Sequence, residues 1–181
     1  NIILPPENVL KEKITHWAIF AENRDKIDTL RKFLAAENPK KALVFTSRAD
    51  QVENIFNKLT YKKVECSCLH AKTDKQHRKN AIDFFRRGKT PVLITSDLAA
   101  RGLDIPDIQY IIQMDLPQDE DFFVHRCGRT ARAGKTGINV VIGDEWEMHH
   151  YAKLEKKFGL KVFPKEIHNG KVVKPEIDEE N

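Results

Sequence analysis

Apolar residues recur along this chain in two alternating rhythms. Short, mostly apolar runs at Ala42–Phe45, Val64–Leu69, Val92–Thr95, Ile108–Met114 and Ile138–Ile142 read as strands. Between them, apolar residues return every three or four positions, as on one face of a helix. Ile27, Leu30, Phe33 and Leu34 stripe a predicted helix over Arg24–Ala36, and Val52, Ile55, Phe56 and Leu59 stripe another over Ala49–Leu59. Asp74 is placed to cap a helix that runs to about Arg87 and stops at Gly88. Two more helices are predicted over Asp119–Cys127 and Glu145–Phe158, the second ending at Gly159. Ile14–Phe20 alternates weakly and reads as an edge strand. The dozen residues before it, with Pro5 and Pro6, show no clear period and read as a linker. Residues 160–173 have room for one short strand, and the remainder reads as frayed.

Apolar strands separated by amphipathic helices predict βαβ units. The expected fold is a single α/β domain, a mostly parallel β-sheet with helices on both faces. The expected boundaries are a linker and edge strand over 1–20, the domain proper over 21–165 and a tail over 166–181. Ligands of such sheets gather outside the carboxyl ends of the strands.

Composition narrows the class. The chain has 181 residues, 40% hydrophobic and 32% charged, enough for a core without disulfides. No apolar run approaches the roughly 18 residues of a membrane span, so no membrane partner is expected. Three cysteines do not make a disulfide framework; Cys66 and Cys68 lack a second ligand pair and read as reduced thiols rather than a zinc site. The sequence shows no signal peptide, starts without Met and reads as a piece of something longer, with a cytoplasmic location expected, or a nuclear one in a eukaryote. Net charge is only +4, but it is unevenly spread. Lys72–Lys89 holds seven Lys or Arg against Asp74 and Asp83, and His125–Lys135 holds four and no acid. The last residues, from Lys174 on, are acidic.

The strand ends carry the candidate chemistry. Thr46-Ser47-Arg48, His70 to Thr73, Thr95-Ser96-Asp97 and Asp115-Leu116-Pro117 all follow predicted strands. Small hydroxyls and free backbone N–H groups in such places can approach a phosphate closely. Arg78 shares a helical face with Ile82 and Phe85, so it must reach past the sheet edge to stay solvated. Its partner is either a phosphate or a carboxylate. The densest signal is His125-Arg126-Cys127-Gly128-Arg129-Thr130-Ala131-Arg132-Ala133-Gly134. Three arginines three apart, interleaved with glycine, suit a planar fork on phosphate oxygens. A basic surface helix end is the alternative.

These residues resemble the DEAD-box RNA helicases. HRCGRTARAG resembles their motif VI, HRxGRxxRxG; TSDLAARGLD resembles motif V; VFTSR falls where motif IV would be; MDLP resembles the strand-end motif between V and VI; and His70 through Gly88 resembles motif IVa. The resemblance runs from about Lys41 to Phe158, in order, and His125 favours the DEAD-box group over the DEAH group. It covers only the second of two RecA-like lobes. The Gly-rich phosphate loop and the Asp-Glu-Ala-Asp metal motif of the first lobe are not in this sequence.

The resemblance implies a single RecA-like domain and a role as half of an RNA-dependent ATPase. By position, Arg129 and Arg132 would be arginine fingers on the γ-phosphate of ATP. Asp104 would accept from the ribose, and the Gly102 backbone would lie near the phosphates. His125 would couple the ATP and RNA sites. Ser47, Arg48, Arg78 and Ser96 would line the RNA backbone without reading sequence. ATP and Mg²⁺ would be held mainly by the N-terminal RecA-like lobe of the same protein, so the isolated chain is expected to be inactive and to unwind or remodel short RNA duplexes only with that lobe. The pattern departs at Ala71 for the usual Gly, Lys75 for Gln, Ser96 for Thr and Arg48 for Thr. A partner-docking module without ATP turnover and a DNA translocase of the same superfamily are the competing readings.

Overall fold

A computed structural model describes residues 6–70 and 72–176; Ala71, the first five residues and the end of the acidic tail lie outside the described residues. The elements in chain order are α1 (Pro6–Glu12), β1 (Ile14–Phe20), a 3-10 turn (Asn23–Asp25), α2 (Lys26–Glu37), β2 (Ala42–Thr46), α3 (Ala49–Tyr61), β3 (Cys66–Leu69) and α4 (Lys75–Arg86). They continue with β4 (Val92–Ser96), β5 (Tyr110–Gln113), α5 (Glu120–Cys127), β6 (Gly137–Gly143), α6 (Glu145–Phe158), β7 (Val162–His168) and β8 (Lys171–Val173). The eight strands form one sheet in the order β3-β4-β2-β5-β6-β1-β7-β8, parallel except for the final β7–β8 hairpin.

Both faces are covered, as the unbroken apolar runs require. On one face α2 and α3 bury Leu30, Phe33, Val52, Ile55 and Leu59 against Val44, Ile94, Ile112 and Val140. On the other, α4 and the loop after β4 bury Phe85, Ala100, Leu103 and Ile105 against Leu43, Phe45, Leu93 and Ile111. On that same face α1, α5 and α6 add Leu10, Phe123, Cys127, Tyr151 and Leu154 around Ile14 and Val141.

Caps set the helix ends. The Asp74 side chain accepts from the His77 N–H at 2.8 Å, and Gly88, at φ +79°, lets the chain leave α4 in a left-handed turn. Asp144 and Glu147 form a reciprocal capping box at the start of α6.

Three expectations change. The segment before β1 is helical from Pro6, because Leu10 is buried beneath α5 and α6 and anchors a turn there. Strand β1 is not at an edge: β6 pairs with one side of it and β7 with the other. Its weak alternation reflects burial on both faces. The short strand expected within 160–173 is a hairpin, and β7 runs through the expected boundary at 165. Two strands are also shorter than their apolar runs. The Val64 N–H closes α3 by donating to the Leu59 carbonyl, and the Ile108 carbonyl accepts from Thr130 Oγ1, so the ladders start at Cys66 and Tyr110.

No described helix is long and apolar enough to cross a membrane. Cys66, Cys68 and Cys127 are free thiols, and burial pushes the Cys68 thiol up to about 11.

Candidate nucleotide and RNA interface

The carboxyl ends of β2, β4 and β5 meet at one buried arginine. Arg126, on α5, is 1% exposed. Its Nε and Nη2 donate to the two carboxylate oxygens of Asp97, both at 2.7 Å. Its Nη1 donates to Gln113 Oε1 at 3.0 Å and to the Asp115 carbonyl at 2.8 Å, and its Nη2 reaches Asp115 Oδ1 at 3.3 Å. The guanidinium also lies over the Phe45 ring, 5.4 Å from its centroid. A planar fork with five donors satisfies such a set; a point charge would not. Because an unpaired buried charge is costly, this cluster fixes its members relative to one another.

Asp115 carries the arrangement to β2. Its carboxylate accepts from Ser47 Oγ at 2.5 Å, from the Ser47 N–H at 3.0 Å and from Thr46 Oγ1 at 2.8 Å. Burial alone would raise its pKa. The Arg126 charge and the Ser47 and Thr46 hydrogen bonds outweigh burial and hold it below the ordinary carboxylate value. The loop bearing Asp115 is gripped from the other side as well. Lys26 Nζ donates to the Met114 carbonyl at 2.8 Å and to Glu147 Oε1 at 2.5 Å, while Glu147 Oε2 accepts from the Leu116 N–H at 3.2 Å.

The candidate residues separate into groups. Ser47, Ser96, His125 and Arg129 line one cleft of about 570 Å³, together with Asp97, Leu98, Phe122 and Arg126. Arg129 also lines a second groove of about 700 Å³ at the amino ends of the strands, where Arg132, Lys40, Lys41, Arg86, Arg87 and Lys135 face a single acid, Asp107. Such a basic groove fits a polyphosphate chain. Arg48 opens instead onto a third cleft, with Asn23, Gln51 and Trp146, which meets the first at Ser47. α5 starts beside the carboxyl rim, and the turn that follows carries Arg129 and Arg132 towards the amino ends of the strands.

Several side chains are not free. The Arg78 guanidinium donates to the Ala99 carbonyl at 2.7 Å and to the Arg101 carbonyl at 3.4 Å, so it is tied to the loop after β4. Ser96 is buried, and its Oγ accepts from the Ala99 N–H at 3.3 Å. Arg129 donates to the Leu103 carbonyl at 2.6 Å; burial and the nearby Arg132 lower its pKa, partly offset by Asp104. Arg132 pairs with Asp104 at 2.5 Å, both side chains largely exposed at 48% and 81%. His125 is exposed, and so is Gly102, whose φ of +78° favours glycine there.

Backbone strain concentrates around Arg132. Ala131 and Ala133 both hold left-handed conformations, φ +57° and +56°, which cost a non-glycine residue about 1 kcal/mol or more each. The turn returns to the sheet by close packing: a Cβ on Gly137 would sit 2.1 Å from Thr130 Oγ1. Among the described residues no three His, Cys, Asp or Glu side chains converge as a metal site.

Known proteins are similar to this chain in sequence and in fold. Residues 25–134 match the family described as the helicase conserved C-terminal domain.

The chain belongs to that family.

Among its relatives are the DEAD-box ATP-dependent RNA helicase CshC of Bacillus cereus, 34% identical over 163 residues, and the ATP-dependent RNA helicase SrmB of Haemophilus influenzae, 33% identical over 169 residues. These alignments take in 90% and 93% of this chain but 42% and 37% of the relatives, so the chain spans about two fifths of their length. Among solved structures, Escherichia coli SrmB bound to the regulator of ribonuclease activity A matches with a TM-score of 0.81 and 26% identity, over 93% of this chain and all of that one. Saccharomyces cerevisiae Dbp5 bound to RNA and ADP BeF3 matches with a TM-score of 0.79 and 28% identity, over 90% of this chain and 44% of that one. This chain is therefore a RecA-like C-terminal helicase domain of the DEAD-box type.

Sequence reasoning missed the centre of the site. The sequence places Asp97 and Asp115 among the strand-end candidates and Arg126 in the arginine cluster, but assigns none of the three a role of its own and does not single out Gln113. A signal existed: Phe123, Arg126 and Cys127 lie at i, i+3 and i+4 on the face of α5 that packs on the sheet.

Proposed function

We propose that this chain is the second lobe of an ATP-dependent DEAD-box RNA helicase, supplying arginine fingers to ATP and part of the RNA-backbone surface. The observation that carries the reading is the placement of Arg129, which lines both the cleft holding Ser47, Ser96 and His125 and the basic groove holding Arg132. One short segment thus faces an RNA path on one side and a phosphate-binding groove on the other.

In this reading Arg129 and Arg132 bind the γ-phosphate, where fixed guanidinium groups stabilise transferring charge. ATP supplies the bond that is cleaved, and the N-terminal lobe holds most of the nucleotide together with Mg²⁺. Asp104 accepts a ribose hydroxyl, and the Gly102 backbone lies along the phosphates. For Asp104 and Arg132 to take those roles, their mutual ion pair must open. An exposed pair is worth at most about 1 kcal/mol, so this rearrangement costs little.

On the RNA side, Arg48 presents a cation at the end of β2, and Ser47, whose Oγ and N–H both donate to Asp115 in this structure, offers its hydroxyl to RNA by turning it away from that carboxylate. Ser96 shapes the end of β4. Arg78 holds the Ala99 and Arg101 carbonyls with two of its five N–H donors and meets RNA with the others. The Arg126 cluster keeps the ends of β2, β4 and β5 at fixed spacing, so hydroxyls from different strands meet one backbone. His125, exposed on α5 and lining the Ser47 cleft one turn before Arg129, couples the two surfaces in this reading.

The test is reconstitution. The chain joined to its native upstream segment should hydrolyse ATP when RNA is added, and the chain alone should not. Robust turnover by the pure chain contradicts the division of labour. Unstimulated or absent turnover in the joined protein favours the docking-module reading.

A further inference from the structure

A single file of buried hydrogen bonds joins helix α1 to Arg126. Arg126 Nη1 donates to Gln113 Oε1 at 3.0 Å, and Gln113 Nε2 donates to Asn139 Oδ1 at 2.7 Å. Asn139 Nδ2 lies 3.1 Å from His16 Nδ1, and His16 Nε2 lies 2.8 Å from the Leu10 carbonyl. The second Asn139 N–H goes to the Tyr151 hydroxyl at 3.3 Å. None of the four linking side chains is more than 2% exposed. They come from α5, β5, β6 and β1 in turn, so the file crosses two strand gaps, about 10 Å, beneath the helices.

The ends force the direction of every bond. A guanidinium only donates, so Gln113 must turn its oxygen to Arg126 and its amide hydrogens to Asn139 Oδ1 and, at 3.8 Å, to the buried Cys127 Sγ. Asn139 must then turn its oxygen to Gln113 and its hydrogens to His16. The imidazole must accept at Nδ1 and therefore carries its proton on Nε2, where the Leu10 carbonyl accepts it. A file in which each member has one permitted orientation cannot relax locally. Breaking any bond leaves a buried donor or acceptor unmet, and the defect passes to the neighbours.

We propose that this one-directional file couples the seating of α1 to the setting of Arg126, making Gln113, Asn139 and His16 positioning residues for the side chains that Arg126 holds. The hydrogen-bond claim stands on the geometry. Its consequence for turnover rests on the helicase-lobe reading: α1 then lies on the stretch of chain leading in from the N-terminal lobe, and its seating is transmitted to Asp97, Asp115 and Ser47.

The test starts with the 181-residue chain. Long-range proton–nitrogen correlation spectra at pH 7 should show a neutral His16 with its proton on Nε2; a proton on Nδ1 overturns the proposal. Gln113→Leu, which removes the second link at similar volume, should speed amide hydrogen exchange in α1 about tenfold, equivalent to about 1.4 kcal/mol, while α2 on the opposite face keeps its wild-type rates. A purely local packing role would leave α1, two strands away, unaffected, and that result in a folded variant also overturns the proposal. Should Gln113→Leu fail to fold, His16→Phe reads the coupling from the other end: exchange of the Arg126 Nε–H with water should rise about tenfold, and an unchanged rate overturns it. In the chain joined to its upstream segment, Gln113→Leu should lower RNA-stimulated kcat about tenfold at unchanged KM for ATP. A wild-type joined protein without RNA-stimulated turnover would sink the lobe reading and leave the tautomer and exchange results standing.

Discussion

Replacing Arg126 by lysine keeps the charge and removes the fork. The wild-type side chain makes five polar contacts to Asp97, Gln113 and Asp115. A lysine has three donors on one atom, so at least two contacts are lost, and at least one buried oxygen goes unmet. Hydrogen bonds to charged groups contribute about 1.5–3 kcal/mol each. Arg126→Lys should therefore destabilise the domain by about 3–6 kcal/mol. With a urea slope of about 2 kcal/mol per molar, the unfolding midpoint should fall by about 1.5–3 M. The internal control is Arg132→Lys. Its ion pair with Asp104 is as short as any in the Arg126 cluster, yet both side chains are largely exposed, and exposed pairs contribute about 0–1 kcal/mol. Urea titrations of both variants decide the matter. If Arg126→Lys costs no more than Arg132→Lys, the buried cluster is not what fixes the strand ends.

Other outcomes follow from the same geometry. Gly137→Ala drives a methyl group into Thr130 and should cost about 1–3 kcal/mol by overpacking; a neutral effect in urea titration would show that the turn after Arg132 can shift. Stability should fall with acid in two stages. Burial holds the folded-state pKa of His16 below its ordinary 6.5, only partly offset by its bond to Leu10. Its contribution is therefore complete above pH 6.5 and is lost as the pH falls below, because the unfolded chain binds a proton that the folded one rejects. Asp115, held below its ordinary 3.8, adds a second loss below pH 3.8; His16→Phe should abolish the first stage and keep the second. RNA binding by the isolated chain should be weak. For up to four phosphate contacts, log affinity should fall against log salt with a slope of at most about −3; salt-independent binding of a short oligouridylate in fluorescence anisotropy would contradict an ionic backbone surface.

Much of the fold was legible because it is written in local periodicity. The stripes of α2, α3 and α4, the cap at Asp74 and the apolar cores of β2 and β4 need no knowledge of distant partners. Helix α1 was hidden because it is held by one buried leucine whose partners, on α5 and α6, are more than a hundred residues away. Strand β1 looked like an edge because its alternation is weak, and weak alternation belongs equally to a strand covered on both faces. The site was legible by resemblance and charge, and those signals favour exposed groups. Arg129 and Arg132 stood out. Asp97 and Asp115 each read as an ordinary strand-end acid until the structure placed both on the buried Arg126. The anchoring of Arg78 could not be read from its helix, since its acceptors are carbonyls of a loop 21 and 23 residues on.

The central claim is that Arg132 is a finger acting on ATP held by another lobe. The direct measurement is RNA-stimulated ATP turnover of the chain joined to its native upstream segment, wild type against Arg132→Ala. The variant should lose turnover on the order of a thousandfold while RNA affinity without nucleotide stays near wild type, because Arg132 opens onto the basic groove and not onto the cleft of Ser47 and Ser96. Turnover within a few-fold of wild type, or an equal loss of RNA binding, would contradict the account.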